Sequence, residues 1–129
     1  ESTKNLKNVH FLGYQPKEKT ISLIRGSILL IQPSFAEGIS STLLESMACK
    51  TPIIATNIGG NKELFVHNKT GILIEPGNSN ELLKEIMRML NDQNLRDEIA
   101  RSAYDEVQKY DWSNIGKLYL DLYEKLLKS

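Results

Sequence analysis

Pro33-Ser34-Phe35-Ala36-Glu37-Gly38-Ile39-Ser40-Ser41-Thr42-Leu43-Leu44-Glu45-Ser46-Met47-Ala48 is the stretch on which the reading of this chain turns. The apolar run before it, Ile28-Leu29-Leu30-Ile31, shows no polar alternation and reads as a buried parallel strand. Pro33 and Ser34 end that strand, and a polar loop with Glu37 beside Gly38 follows. Ser40, Ser41 and Thr42 bring helix-start hydroxyls, and Leu43, Leu44, Met47 and Ala48 make an apolar helical stripe. The order is strand, loop, helix. In an open α/β sheet, ligands sit outside the carboxyl ends of the strands. A helix start offers free N–H groups and a positive dipole end, which suit a phosphate or an oxygen-rich ligand.

Glu37 and Glu45 bracket this turn. A carboxylate accepts hydrogen bonds from two neighbouring hydroxyls at once, as a sugar or a ribose presents them. Each glutamate also has a plainer reading. Thr42-x-x-Glu45 is a capping box, in which Glu45 ties back to the backbone of Thr42, and the pattern alone favours this. For Glu37, a solvated loop carboxylate and a ligand contact stand level.

Outward from the turn, the rest of the chain alternates strand and helix. Val9-His10-Phe11-Leu12 reads as a short strand stopped by Gly13. Pro16 opens an amphipathic helix over Ile21, Leu23 and Ile24 that ends at Gly26. Thr51 to Thr56 is a second buried strand, with Pro52 tolerated at its beginning, and Asn57, Gly59 and Gly60 form a turn after it. Lys62 to Val66 is a short helix, Asn68 to Gly71 a turn, and Ile72-Leu73-Ile74 a strand ended by Pro76-Gly77. Asn78-x-x-Glu81 is a capping box for a helix carrying Leu82, Leu83, Ile86, Met87 and Leu90. Leu95, Ile99, Ala103 and Val107 mark another helix. Ser113 caps a last one, with Ile115, Leu118, Tyr119, Leu122 and Leu126 as its core stripe. The alternation predicts an α/β fold with a parallel sheet flanked by helices and a helical C-terminal end.

Composition bounds the function. The chain has 129 residues, enough for one domain with a single core, and no formal net charge, so nothing points to nucleic acid. No apolar run approaches the length of a membrane span, and no secretory leader is visible. Cys49, the lone cysteine, rules out an internal disulfide, fits a reducing compartment and reads as packing. Asn68-Lys69-Thr70 matches a glycosylation sequon but reads as a plain turn. His10 and His67 lack metal-ligand spacing, with His10 read as a packed or surface residue. No phosphate-binding glycine fingerprint is present, and Gly59-Gly60 reads as a tight strand-to-helix turn. Ser34, Ser40 and Ser41 lack a nucleophile-elbow context.

The segment from Pro33 through Gly60, PSFAEGISSTLLESMACKTPIIATNIGG, resembles the donor-site signature of the group 1, retaining, GT-B-fold glycosyltransferases. The flanking VHFLGY, NKTGILIEPGN and YDWSNIGKLYLDLYEKLL resemble the family's neighbouring strands and closing helix, so the likeness covers nearly the whole chain. Ser40, Ser46 and Lys50 depart from the usual glycine, alanine and glycine. Lys50 stands where a left-handed glycine would end the helix, so some strain is expected there.

The resemblance implies a Rossmann-like C-terminal half of a GT-B enzyme, incomplete, with residues 1–129 as most of one nucleotide-sugar-binding domain. The N-terminal acceptor domain and an upstream Arg and Lys that clamp the pyrophosphate would lie outside this chain. It implies that Glu37 holds the donor sugar, with the N–H groups of Gly38, Ile39 and Ser40. The N–H groups of Ser41 and Thr42 would face the diphosphate, Glu45 the ribose, and Gly13 and Tyr14 the nucleobase. No metal or other cofactor is expected. The implied activity is transfer of a hexosyl-type sugar from a nucleotide-diphosphate sugar to a glycan, lipid or other acceptor with retention, as in polysaccharide biosynthesis. The isolated chain is expected to be inactive, and the parent cytoplasmic, with peripheral membrane association at the inner face allowed. A nucleotide-sugar epimerase of the same fold, which uses histidine and carboxylates for acid/base work, fits the glutamates less well. A non-catalytic nucleotide-sugar-binding or interaction module is the remaining alternative.

Overall fold

The computed structural model describes residues 6–128. Its centre is one parallel sheet of β1 (Leu30–Gln32), β2 (Ile53–Thr56) and β3 (Ile72–Ile74), in the order β1-β2-β3. Ile31 pairs with Ile54, and Ile54 with Ile72, so β2 is hydrogen-bonded on both sides. Helices α1 (Lys17–Gly26), α2 (Ser41–Ala48) and α3 (Gly59–Leu64) accompany the strands. Helices α4 (Ser79–Asn91), α5 (Gln93–Val107) and α6 (Trp112–Leu127) follow, with a single 3-10 turn at Gln108–Tyr110 before α6.

The absence of alternation in β2 has a direct cause. Its side chains point alternately to the two faces of the sheet, and both faces are covered. Ile53 and Ala55 pack with Leu43 and Met47 of α2, Leu64 of α3, and Ala103 and Val107 of α5. Ile54 points the other way, with Ile72 and Ile74, onto Met89 of α4 and Ile99 of α5. Each such aliphatic side chain contributes roughly 1.5–3 kcal/mol relative to exposure. A polar residue at any of these positions would lack a partner. Helix α1 is tied in at its end, where the buried Thr51 hydroxyl donates to the Ile24 carbonyl at 2.8 Å.

Several expectations need correction. The Ile28–Ile31 run is not a buried strand. Pairing starts at Leu30, Ile28 is exposed, and among the described residues β1 is an edge strand with a neighbour on one side only. Val9–Leu12 forms no strand. A strand needs a ladder partner, none of the described strands pairs with it, and Phe11 and Leu12 are exposed. Helix α3 starts at Gly59, earlier than Lys62, because Ile58 already ends the extended run after β2. Asp111, not Ser113, caps α6: its carboxylate accepts from the Ser113 N–H at 2.9 Å. The expected core stripe of α6 buries no residue: it meets the Gln108–Tyr110 turn near its start, where Ile115 is half-buried, and further on Leu118, Leu122 and Leu126 are all exposed.

Other readings hold. Ile99, Ala103 and Val107 are buried along α5. Asn78 Oδ1 accepts from the Glu81 N–H at 3.1 Å, the first half of the capping box. The reciprocal half differs, since the Glu81 carboxylate accepts from the Glu75 N–H and the Asn78 side-chain amide, while the Asn78 N–H goes to the Glu75 carbonyl. Lys50 ends α2 at φ +58°, and its ammonium lies 4.4 Å from the Tyr104 ring centre. That cation–π contact offsets part of the left-handed strain.

Candidate functional site

The loop from Ser34 to Ser40 leaves the carboxyl end of β1 and enters α2 at Ser41. Ser40 is the residue before the helix, and its side chain makes no cap; its hydroxyl donates instead to Gln32 Oε1 at 3.3 Å. The Ser40 carbonyl accepts from Leu43 and Leu44. The N–H groups of Gly38, Ile39, Ser40, Ser41 and Thr42 have no acceptor among the described residues. A run of free backbone donors at a helix start is a surface for an anion or for sugar oxygens.

Glu37 stands exposed at the head of that run, and Ser34 Oγ donates to its Oε1 at 3.3 Å. Glu45 sits further along α2, 22% exposed, in an ion pair of 3.4 Å with Lys17 of α1. The Thr42–Glu45 capping box is not formed. With Ser40 as the cap, the box partner would be Leu43, which has no acceptor. The Lys17 pair brings the start of α1 against α2, and Tyr14 precedes it by one short turn of chain. Gly13 has φ +60° and Tyr14 is 94% exposed; no recorded hydrogen bond or ion pair joins either to the α2 start.

The sequence reading missed Lys17, and it missed what holds the loop from behind. Thr56 Oγ1, at the end of β2, donates to the Ser34 carbonyl at 2.6 Å. The Gly60 N–H points at the Glu37 carbonyl at 3.5 Å. The sign that was available for this was the paired glycine after β2. Among the described residues no three His, Cys, Asp or Glu side chains gather as a metal site. No described helix is long and apolar enough to cross a membrane.

The sequence model of the family described as "Glycosyl transferases group 1" matches residues 1–106. This chain belongs to the group 1 glycosyltransferases. An uncharacterized glycosyltransferase of Methanocaldococcus jannaschii is 30% identical, over 95% of this chain and 35% of its own length. The structure of the Anabaena protein HepE in complex with UDP-glucose superposes with a TM-score of 0.84 at 28% identity, covering 93% of this chain and 33% of that one. The C-terminal domain of a group 1 glycosyltransferase from Francisella tularensis superposes with a TM-score of 0.69 at 30% identity, covering 81% and 53%. The α/β fold is thus that of GT-B C-terminal domains. This group 1 glycosyltransferase chain spans about a third or less of the length of the curated relatives it matches.

Proposed function

We propose that this chain is most of the donor-binding domain of an enzyme that transfers a hexosyl group from a nucleotide-diphosphate sugar to a glycan, lipid or other acceptor, with retention of configuration. The observation that carries the reading is the run of N–H groups from Gly38 to Thr42 that find no acceptor among the described residues, with Glu37 at its head. Family membership supports transfer chemistry, and the UDP-glucose complex of HepE supports a nucleotide sugar as donor.

In this reading Glu37 accepts hydrogen bonds from the donor sugar's hydroxyls, helped by the N–H groups of Gly38, Ile39 and Ser40. The N–H groups of Ser41 and Thr42 and the dipole of α2 stabilise the diphosphate as it departs. Glu45 takes the ribose hydroxyls, and Gly13 and Tyr14 border the nucleobase. In the reaction the bond from the anomeric carbon to the diphosphate oxygen breaks on the face where the acceptor oxygen arrives. The acceptor's proton leaves with the diphosphate. No metal or other cofactor is assigned, because backbone donors do the charge-stabilising work. The acceptor belongs to a second domain, so the isolated chain is inactive. A cytoplasmic enzyme of polysaccharide assembly, resting at the inner face of the membrane, completes the proposal.

The test is acceptor-dependent release of nucleoside diphosphate by the full-length protein from a panel of nucleotide sugars. Glu37→Ala should abolish most turnover with little loss of stability, since the carboxylate is exposed and its recorded partner is the Ser34 hydroxyl at 3.3 Å, an exposed contact. Near-normal turnover in that variant refutes the sugar-contact role. Nucleotide-sugar binding without any release would favour a binding module, and product with an inverted sugar carbon an epimerase.

A further inference from the structure

Three glycines, Gly38, Gly59 and Gly60, lie in or against the Glu37–Ile39 backbone, and only the last two are required by space. At Gly38 an added Cβ meets nothing within 4 Å. At Gly59, with φ +31°, it would lie 2.5 Å from the Glu37 carbonyl oxygen. At Gly60 it would lie 2.6 Å from the carbonyl carbon and oxygen of Gly38 and 2.7 Å from the Ile39 nitrogen. All these neighbours are backbone, which cannot swing away as a side-chain tip does. The start of α3 therefore lies against the backbone that carries Glu37 and the first free N–H groups. From the same side, Thr56 Oγ1 holds the Ser34 carbonyl at 2.6 Å and the Gly60 N–H faces the Glu37 carbonyl at 3.5 Å.

We propose that the end of β2 and the start of α3, through Thr56, Gly59 and Gly60, form a backstop that fixes the conformation of the Glu37–Ile39 loop and thereby the geometry of sugar transfer. These are positioning residues, and the inference rests on the donor-site reading above. Thr56 anchors one end of the loop, and the bare backbone of the glycines sets how close the other end comes to the sheet. Helix α2 is outside this contact, so Ser41 and Thr42 keep their places when the backstop is altered. The sugar end of the site therefore depends on the backstop and the diphosphate end does not.

The experiment uses the full-length protein and the variants Gly60→Ala, Glu37→Ala and their combination, with Gly116→Ala as control. Gly116 lies in open space on α6. Gly60→Ala should lower kcat about 100-fold, the effect of an ångström of misplacement, while affinity for nucleoside diphosphate stays within about twofold of wild type on the general scale of additive, distant effects. Added to Glu37→Ala, it should lower kcat little further, because both changes act through one loop. Equal effects in the two backgrounds, or kcat unchanged in Gly60→Ala, overturn the proposal. Independently of activity, the amide resonances of Gly38 and Ile39 should shift in Gly60→Ala and not in Gly116→Ala. Unshifted resonances overturn the backstop even in an active enzyme. If they shift while wild type neither binds nor turns over nucleotide sugars, the donor-site reading fails and the backstop stands. Should Gly60→Ala not fold, Thr56→Val and Thr56→Ser carry the same test. Loss of kcat in the first with recovery in the second supports the proposal, and equal kcat in both overturns it.

Discussion

Glu45 has one partner in the structure and a second in the proposed reaction, and Glu45→Gln separates them. The ion pair with Lys17 spans 3.4 Å, but the Lys17 side chain is 78% exposed. A pair so open to water contributes about 0.2–1 kcal/mol, and glutamine can still accept a hydrogen bond from the ammonium. The variant should therefore melt within about 0.5 kcal/mol of wild type. The ribose role predicts a larger effect on binding. Hydrogen bonds to a charged acceptor are worth roughly 1.5–3 kcal/mol against about 1 for neutral ones. Exchanging carboxylate for amide should thus weaken nucleoside diphosphate binding by about 1.4 kcal/mol, a factor of about ten. Calorimetric titration of the full-length protein with the nucleotide and its 2′-deoxy analogue measures this. Wild type should prefer the ribonucleotide, and the preference should narrow in Glu45→Gln. Lys17→Met, which frees Glu45 of its competitor, should leave the preference in place. If wild type does not distinguish the two nucleotides and the variant binds both equally well, pairing with Lys17 is the whole role of Glu45.

Gly38→Ala should fold as well as wild type or be up to about 1 kcal/mol more stable, since its Cβ meets open space and its φ is not left-handed. Turnover should nevertheless fall by about 100-fold as the methyl displaces the sugar; a destabilised variant with normal turnover contradicts this. Lys50→Gly should be about 1 kcal/mol more stable than Lys50→Ala in denaturant unfolding, because both lose the Tyr104 contact and only glycine relieves the positive φ. Asp111 carries a pH signature: hydrogen bonds from the Ser113 hydroxyl and then its N–H hold the carboxyl below its ordinary 3.8. A lowered folded-state pKa gives stability that is present above the ordinary value and lost as pH falls through the lowered one. The melting-temperature gap between wild type and Asp111→Asn should close in that acid range, and a gap independent of pH would refute the cap's titration.

The sheet was legible where burial was local and repetitive. Ile53, Ile54, Ile72 and Ile74 sit in unbroken apolar runs, and both faces of the strands they form are covered. Asn78 and Lys50 were legible because capping and left-handed geometry are written in a few adjacent residues. Val9–Leu12 was misread because alternation shows only that a segment would suit a sheet edge, and pairing depends on a partner far away in sequence. The α6 stripe was misread for the same reason: helical spacing marks an apolar face without saying what lies on it. At the site, the loop itself showed a carboxylate, Glu37, and the free N–H groups of a helix start, while the part given to Gly38, Ile39 and Ser40 came only with the family resemblance. Lys17, Thr56 and Gly60 were not, since each reaches the loop or α2 across the fold from its own element.

Helix α6 has a consequence for amide hydrogen exchange. Protection follows the free energy of the opening that exposes each N–H. The amides of β2 lie in the middle of the sheet, so they open only when the whole core does. Those of α6 open at less cost, because the helix buries none of the described residues; its start is joined through the Gln108–Tyr110 turn and the Asn114 amide on the Gln108 carbonyl. In the described chain, deuterium should enter α6 long before β2, and a protease nick within 112–127 should leave the sheet and α5 folded.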